Sequence, residues 1–340
     1  MSEVRLAVLG AGRIGRVHAQ AIGQVPGAVL QAIADPVAAA ADEVAAAHGG
    51  RVDDIDAIAA ADDVDAVVIC TPTDTHAALI ERFAHAGKAI FCEKPIDLDV
   101  ARVQRCLAVV DATRTTLMVG FQRRFDPDFA ALKAAIDAGR IGEVESVTLT
   151  SRDPAPPPLA YLAHSGGLFR DMMIHDFDVA RWLLDDTVVS VQAIGSVLVD
   201  ASIGAAGDID TATVLMRTAR GRHCTISCSR RASYGYDQRI EVHGSQGSVS
   251  ATNHHLACIE VATADGFARP PLLDFFMSRY ARAYAAEMAA FVAAVRGDAP
   301  VTTGGADGLA ALVLADAAVR SMASGRAVDP AGSIEPVGPS

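Results

Sequence analysis

Lys94, Asp171 and His175 are the residues of this 340-residue chain whose types and spacing best suit chemistry. The stretch "RDMMIHDFDVARWLL", residues 170–184, crowds Asp171, His175, Asp176 and Asp178 together. On a helical wheel at about 100° per residue, Asp171, His175, Asp178 and Trp182 fall near 0°, 40°, −20° and 20°. Met173, Phe177, Ala180 and Leu184 fall on the opposite side. Three readings follow: a metal site, an acid–base pair or a solvated helix face. A catalytic zinc needs about three protein ligands. No second His-x-x-x-His or Cys–His cluster accompanies the stretch, and the adjacent His254 and His255 point in divergent directions, so no metal is expected. A histidine titrates in the range where a base is useful. A carboxylate one turn away orients its ring and stabilises the cation, and a lysine ammonium stabilises a developing alkoxide. This trio suits removal of a hydroxyl proton while hydride leaves the same carbon. Asp176 falls off the shared face, and Asp178 is expected to be structural.

A hydride needs an acceptor. "VRLAVLGAGRIGRVHA" places Gly10, Gly12 and Gly15 in G-x-G-x-x-G spacing, between an apolar strand and a helix. Gly10 allows the tight turn, Gly12 lets backbone approach a pyrophosphate, and Gly15 lets the helix pack closely. The helix N-terminus offers free N–H groups to phosphate. Asp35, twenty residues beyond Gly15, ends the second strand, where a carboxylate accepts from ribose hydroxyls and repels a 2′-phosphate. The expected cofactor is NAD rather than NADP. Thr71, Pro72 and Thr73 follow another strand at its C-terminal end, where such sheets bind ligand. His76 opens the next helix, either to touch the cofactor or to cap and pack. Lys94, in "FCEKP", reaches the same edge by topology, and Pro95 restricts its backbone to extended conformations.

The elements that carry these residues alternate over the first 120 positions. Strands are expected at 4–9, 29–34, 64–70, 89–92 and 116–120, with helices following the first four of them. Short apolar strands alternating with helices predict a doubly wound parallel sheet, an α/β Rossmann domain over 1–121. A helix at 127–138 and a strand at 144–152 then precede the 170–184 stretch. Further strands follow at 188–199, 211–218, 223–229, 239–243 and 247–251, linked by short turns such as "HGSQGS". They predict an α+β domain over 122–325 with an open, largely antiparallel sheet, closed by helices at 277–295 and 305–322. Gly, Pro and Ser mark 326–340 as a loose tail.

Net charge is −12, which argues against nucleic acid or anionic membrane as partner. No apolar run approaches the ~18 residues of a membrane span, and the N-terminus does not resemble a signal peptide. The six cysteines form no C-x-x-C pair, and Cys224 and Cys228 share one face of a strand as expected core thiols. A reducing, cytoplasmic compartment is the expectation.

"GAGRIG", Asp35, "CTPTDTH", "CEKP", "GFQRRFDP" and the Asp-x-x-x-His of Asp171 and His175 occur in this order. The set resembles the Gfo/Idh/MocA oxidoreductase family from Val4 to about Arg320. Within it the likeness is greatest to bacterial inositol 2-dehydrogenases, through "GFQRRFDPDF", "SGGLFRDMMIHDFD" and "YGYDQRIEVHG". The resemblance implies a Rossmann domain, then an open-faced sheet through which such chains associate, typically as tetramers. It implies cofactor contacts at Gly10, Gly12, Arg13, Ile14, Gly15, Asp35, Thr71, Pro72, Thr73, His76, Glu93, Lys94 and Gln122. It also implies that Lys94, Asp171 and His175 line the nicotinamide and substrate pocket. Arg124, Arg152, Asp153 and Tyr236 match positions near a polyol, with Tyr234 competing with Tyr236. Some inositol dehydrogenases carry Asn where Asp153 stands, which bears on hydroxyl preference. The implied reaction is NAD-dependent oxidation of myo-inositol to 2-keto-myo-inositol (scyllo-inosose). Oxidation or reduction of another inositol isomer or a pyranose is the alternative. A non-catalytic dinucleotide-binding regulator would have no need for the lysine and histidine together.

Overall fold

The structure, a computed structural model, describes residues 3–333. The chain forms two compact units. The first runs to Phe125 and takes back Arg282–Leu312; the second comprises Asp126–Ala281 and the segment from Val313 onward.

In the first unit, strands β1 (Val4–Leu9), β2 (Ala28–Ala34), β3 (Arg51–Val52), β4 (Ala66–Ile69), β5 (Ala89–Glu93) and β6 (Leu117–Gly120) form one sheet. They alternate with helices α1 (Arg13–Ile22), α2 (Ala38–His48), α3 (Ile55–Ala60), α4 (Thr73–His85) and α5 (Val100–Thr113). All strand pairs are parallel and the order is β3-β2-β1-β4-β5-β6. That is the doubly wound order, with its switch point between β1 and β4. β4 and β6 are buried at every residue, as their unbroken apolar runs require of a sheet covered on both faces. The short β3 and α3 carry too little apolar pattern to be read from sequence.

The second unit begins with α6 (Pro127–Asp137), started by Asp126, whose carboxylate accepts from the N–H groups of Asp128 and Phe129. Then come β7 (Val144–Arg152), α7 (Leu159–Ser165), α8 (Gly167–Asp171), α9 (Ile174–Leu184), β8 (Val188–Ser196) and α10 (Ala201–Ala205). β9 (Thr211–Thr218), β10 (His223–Ser229), β11 (Asp237–Gly244) and β12 (Gly247–Ala251) complete a six-stranded sheet. Its order is β12-β11-β7-β10-β9-β8, parallel only between β7 and β10, so the sheet is mixed and largely antiparallel as expected. Along β9, buried Ala212, Val214 and Met216 alternate with exposed residues. One face therefore packs under α9 and its neighbours, and the other stays open. A small hairpin, β13 (Val261–Thr263) and β14 (Gly266–Ala268), is exposed throughout.

The single helix expected at 277–295 is two, α11 (Phe276–Arg279) and α12 (Ala281–Arg296). They part at Tyr280, whose fully buried ring packs edge-on against Phe129 and Tyr236. α13 (Gly305–Ser324) follows. Of the tail expected at 326–340, residues 334–340 lie outside the described residues. Val328 exchanges two 2.9 Å hydrogen bonds with Val191 of β8, so the chain is tied to the sheet there.

Candidate active site

The glycine turn is built as its spacing predicts. Gly10 has φ +98°, and a Cβ there would lie 2.7 Å from the Cys70 carbonyl oxygen. A Cβ on Gly15 would lie 1.9 Å from the Gly10 carbonyl oxygen, so only glycine lets α1 sit this close to the turn. Gly12 is the N-cap of α1, and a Cβ there would meet nothing within 4 Å. No side chain caps α1 and no acid occupies its first turn. An uncapped helix start with no acid in its own first turn suits an anionic ligand. These features fit a dinucleotide pyrophosphate. Asp35 accepts from Ala11 N–H at 2.6 Å and Val37 N–H at 2.8 Å, which fixes the carboxylate against the glycine turn. A carboxylate offers about four acceptor sites, so capacity for ribose hydroxyls remains.

The other candidates of this unit sit at strand ends, with their side chains differently spent. His76 is 2% exposed, with Nδ1 2.8 Å from the Pro95 carbonyl oxygen and Nε2 2.8 Å from that of Thr71. Its ring packs and ties loops. Glu93 turns inward, its Oε1 2.7 Å from Nε2 of the fully buried His18. Burial and then the Glu93 charge push the Cys70 and Cys92 thiols well up. Lys94 is half-buried and joined to Pro95 by a cis peptide bond. Gln122, 5% exposed, donates to the Tyr284 hydroxyl at 3.3 Å. Arg124 pairs with Asp307 at 2.9 Å, and both belong to this first unit.

In the second unit the 170–184 stretch departs from the helical wheel. α8 ends at Asp171, and α9 begins at Ile174. At the junction, Met173 N–H donates to the Leu168 carbonyl five residues back, a local widening of the turn. One wheel therefore does not span Asp171 to Trp182. Nor is there a solvated face: every residue from Asp171 to Ala180 is buried, because these helices lie against β7 and β10 rather than on a surface. Asp176 is buried too, and after burial its charge is what pushes the Cys224 thiol up.

Asp171 is held by partners that sequence reasoning missed. The Tyr161 hydroxyl, from α7, donates to its Oδ1 at 2.7 Å. Arg230 is 1% exposed and stands between two carboxylates, 3.6 Å from Asp171 Oδ2 and 3.5 Å from Asp208 Oδ2. Asp208 Oδ1 in turn accepts from Leu168 N–H at 3.0 Å, in the first turn of α8. The parallel pairing of β7 with β10 matches Arg152 to Ser229 and so delivers Arg230 to this place. Two acids thus share one buried cation beside the stretch that carries His175, which is itself 9% exposed. No local motif marks Tyr161 or Arg230; the sheet register brings in Arg230, and α7 carries Tyr161.

The expected polyol contacts separate. Arg152 donates to the Tyr234 hydroxyl at 2.7 Å, and Tyr234 donates to Asp237 Oδ2 at 2.6 Å. Tyr236 is buried edge-on against Phe275 and Tyr280, so Tyr234 is the tyrosine brought to Arg152. Asp153 N–H donates to the Ser229 carbonyl at 3.0 Å. Among the described residues, no group of three or more His, Cys, Asp or Glu is placed to hold a metal ion.

Family models match both units. Residues 4–121 match the oxidoreductase family with an NAD-binding Rossmann fold, and residues 129–250 match the GFO/IDH/MocA C-terminal domain. The chain is also 62% identical over 325 residues to the inositol 2-dehydrogenase of Rhizobium meliloti (strain 1021), covering 96% of this chain and 98% of that one. The chain belongs to the Gfo/Idh/MocA oxidoreductase family. Its first unit is an NAD-binding Rossmann fold, and NAD is its cofactor. Two solved relatives share the whole architecture. A myo-inositol dehydrogenase from Corynebacterium glutamicum ATCC 13032 superposes with TM-score 0.93 at 40% identity, covering 98% of this chain and 100% of that one. A scyllo-inositol dehydrogenase from Lactobacillus casei, with bound NAD(H) and scyllo-inositol, superposes with TM-score 0.89 at 31% identity, covering 97% and 100%. No helix of the described residues is long and apolar enough to cross a membrane.

Proposed function

We propose that this Gfo/Idh/MocA oxidoreductase oxidises a ring hydroxyl of myo-inositol to the ketone 2-keto-myo-inositol. The observation that carries the chemistry is the buried acid–histidine segment, with Asp171 clasped by Tyr161 and Arg230. The 62% identical inositol 2-dehydrogenase supports the substrate. NAD, when bound, takes the hydride. His175 removes the hydroxyl proton, and a buried imidazole suits this because its basicity lies near working pH. The Asp171 carboxylate would favour the protonated ring that results. Lys94 supplies positive charge to the substrate oxygen as the alkoxide develops.

Arg152, Asp153 and Tyr234 are proposed as polyol contacts, since vicinal hydroxyls take both donors and acceptors. A second substrate, scyllo-inositol, is favoured by the relative solved with that ligand. We further propose a role in inositol breakdown and a cytoplasmic location, which the free thiols support. We also propose a homotetramer formed through the open sheet face, where Ile194 is 68% and Leu215 49% exposed.

The decisive experiment is NADH formation across myo-, scyllo- and chiro-inositol, glucose and galactose, each with NAD and with NADP. Fastest turnover of myo-inositol with NAD is expected. Preference for a pyranose, or tight NAD binding without turnover of any polyol, would overturn the reading. Size-exclusion chromatography with light scattering tests the tetramer.

A further inference from the structure

Lys94 is flanked by two buried anchors. On one side, Glu93 Oε1 lies 2.7 Å from Nε2 of His18 in α1. A carboxylate only accepts, so the ring donates. His18 is wholly buried, its ring edge-on to Phe91 at 4.9 Å and to Tyr284 at 5.6 Å. Gly120 makes room for the Glu93 carboxylate, which would lie 3.2 Å from any Cβ there. On the other side, the Pro95 carbonyl lies 2.8 Å from Nδ1 of His76 in α4, whose Nε2 reaches the Thr71 carbonyl at the same distance. Carbonyls only accept, so the ring donates to the one its proton faces, and to both when it carries two.

We infer that His18 and His76 are positioning residues that together hold Lys94. The inference rests on Lys94 acting in the proposed oxidation. Each anchor grips the chain one residue away from Lys94. Each comes from a helix that itself starts at a cofactor-facing turn: α1 at Gly12 and α4 at Thr73. The lysine is therefore registered to the same two turns that receive NAD. A lysine carries about 2 kcal/mol of rotamer entropy and a point charge at the end of a flexible stem. Electrostatic catalysis needs that charge within about 0.5 Å of its place. Fixing the backbone on both sides of the residue removes the largest source of error in where the stem begins.

The test is a double-mutant cycle with Lys94→Ala, read as kcat, KM for the polyol and Kd for NAD. His76→Phe and His18→Phe keep ring volume and remove the hydrogen bonds. Each is expected to lower kcat about ten- to a hundredfold, as displacement of a reacting group by about 1 Å does. Kd for NAD should stay within about twofold. In the Lys94→Ala background the same substitutions should cost less than about twofold more, because residues acting through one group do not add. His18→Gln, which keeps a donor toward Glu93, should recover most of the loss. Should His18→Phe fail to fold, His76→Phe carries the cycle alone. Equal losses with and without Lys94, or a loss of NAD affinity matching the loss of kcat, would overturn the inference. Near-native turnover of Lys94→Ala alone would instead refute the lysine's role, and the positioning role with it.

Discussion

The two units hold their functional groups by different means. In the first, Asp35 is fixed by two backbone N–H groups, and Lys94 by contacts to the residues on either side of it. Most of these partners lie at strand ends of a sheet whose geometry puts strand ends together. In the second, Asp171 is fixed by a hydroxyl from another helix and by a guanidinium 59 residues further along the chain. The first arrangement rests largely on backbone and survives as long as the strands do. The second depends on a balance of buried charge, and one substitution can unbalance it. A Rossmann edge can thus be built from short motifs, while the surroundings of a buried carboxylate such as Asp171 are assembled from distant side chains.

The strongest challenge to that contrast is His175→Ala. Turnover should fall about a hundred- to ten-thousandfold, the worth of a positioned base. Kd for NAD, by fluorescence titration, should hold, since the cofactor half keeps its own supports. Near-native turnover would remove His175 from its role. Next is Arg230→Met, which leaves the buried Asp171 and the half-buried Asp208 without this cation. Breaking a buried pair costs about 3–5 kcal/mol, and the 3.5–3.6 Å separations place this one at the lower end. Urea unfolding measures it, and Arg230→Lys should recover part. An unchanged midpoint would show that charge balance does not hold the second unit together.

A smaller effect is expected from Asp35→Ser. It removes the acceptor of Ala11 N–H and the repulsion of a 2′-phosphate. The ratio of kcat/KM for NAD to that for NADP should fall about tenfold or more, or roughly 1.4 kcal/mol. An unchanged ratio would detach Asp35 from cofactor choice. The smallest effect concerns Asp237, fully buried beneath Arg152 and Tyr234. Burial raises its carboxyl, but hydrogen bonds from Arg239, Tyr234 and Asn253 more than offset this and hold it below the usual range. The unfolded chain therefore takes up the proton first. The stability Asp237 contributes is whole above about pH 4 and is lost as pH falls through its folded value. Asp237→Asn should flatten the acid limb of stability against pH, and an unchanged limb would show that Asp237 does not shape it.

The same contrast explains what the sequence made legible. Gly10, Gly15 and Asp35 could be read because each answers a local demand: a turn, a close approach, a strand end. The strand boundaries followed from apolar runs for the same reason. The 170–184 stretch could not, because its break at Met172 and Met173 and the burial of Asp171–Ala180 come from packing between a sheet and other helices. A periodic pattern cannot tell a face turned to water from a polar face turned to a buried arginine. Glu93 and His76 illustrate the reverse. Their motifs placed them at the right edge of the sheet, but side-chain direction was set by His18 and Pro95, which spacing does not reveal.

The return of Arg282–Leu312 to the first unit also bears on the order in which the chain is made. Val119 on edge strand β6 donates to the Thr303 carbonyl at 2.7 Å and accepts from the Thr303 hydroxyl at 2.7 Å. Phe291 packs edge-on against Phe91 at 5.7 Å. Roughly 160 residues are synthesised between those sheet strands and the segment that completes them. At about 5–20 residues per second, the ribosome leaves the β6 edge uncovered for roughly ten to thirty seconds. The cofactor-binding unit is thus closed only after most of the second unit has been made, and its β6 edge waits for a segment that the chain supplies late.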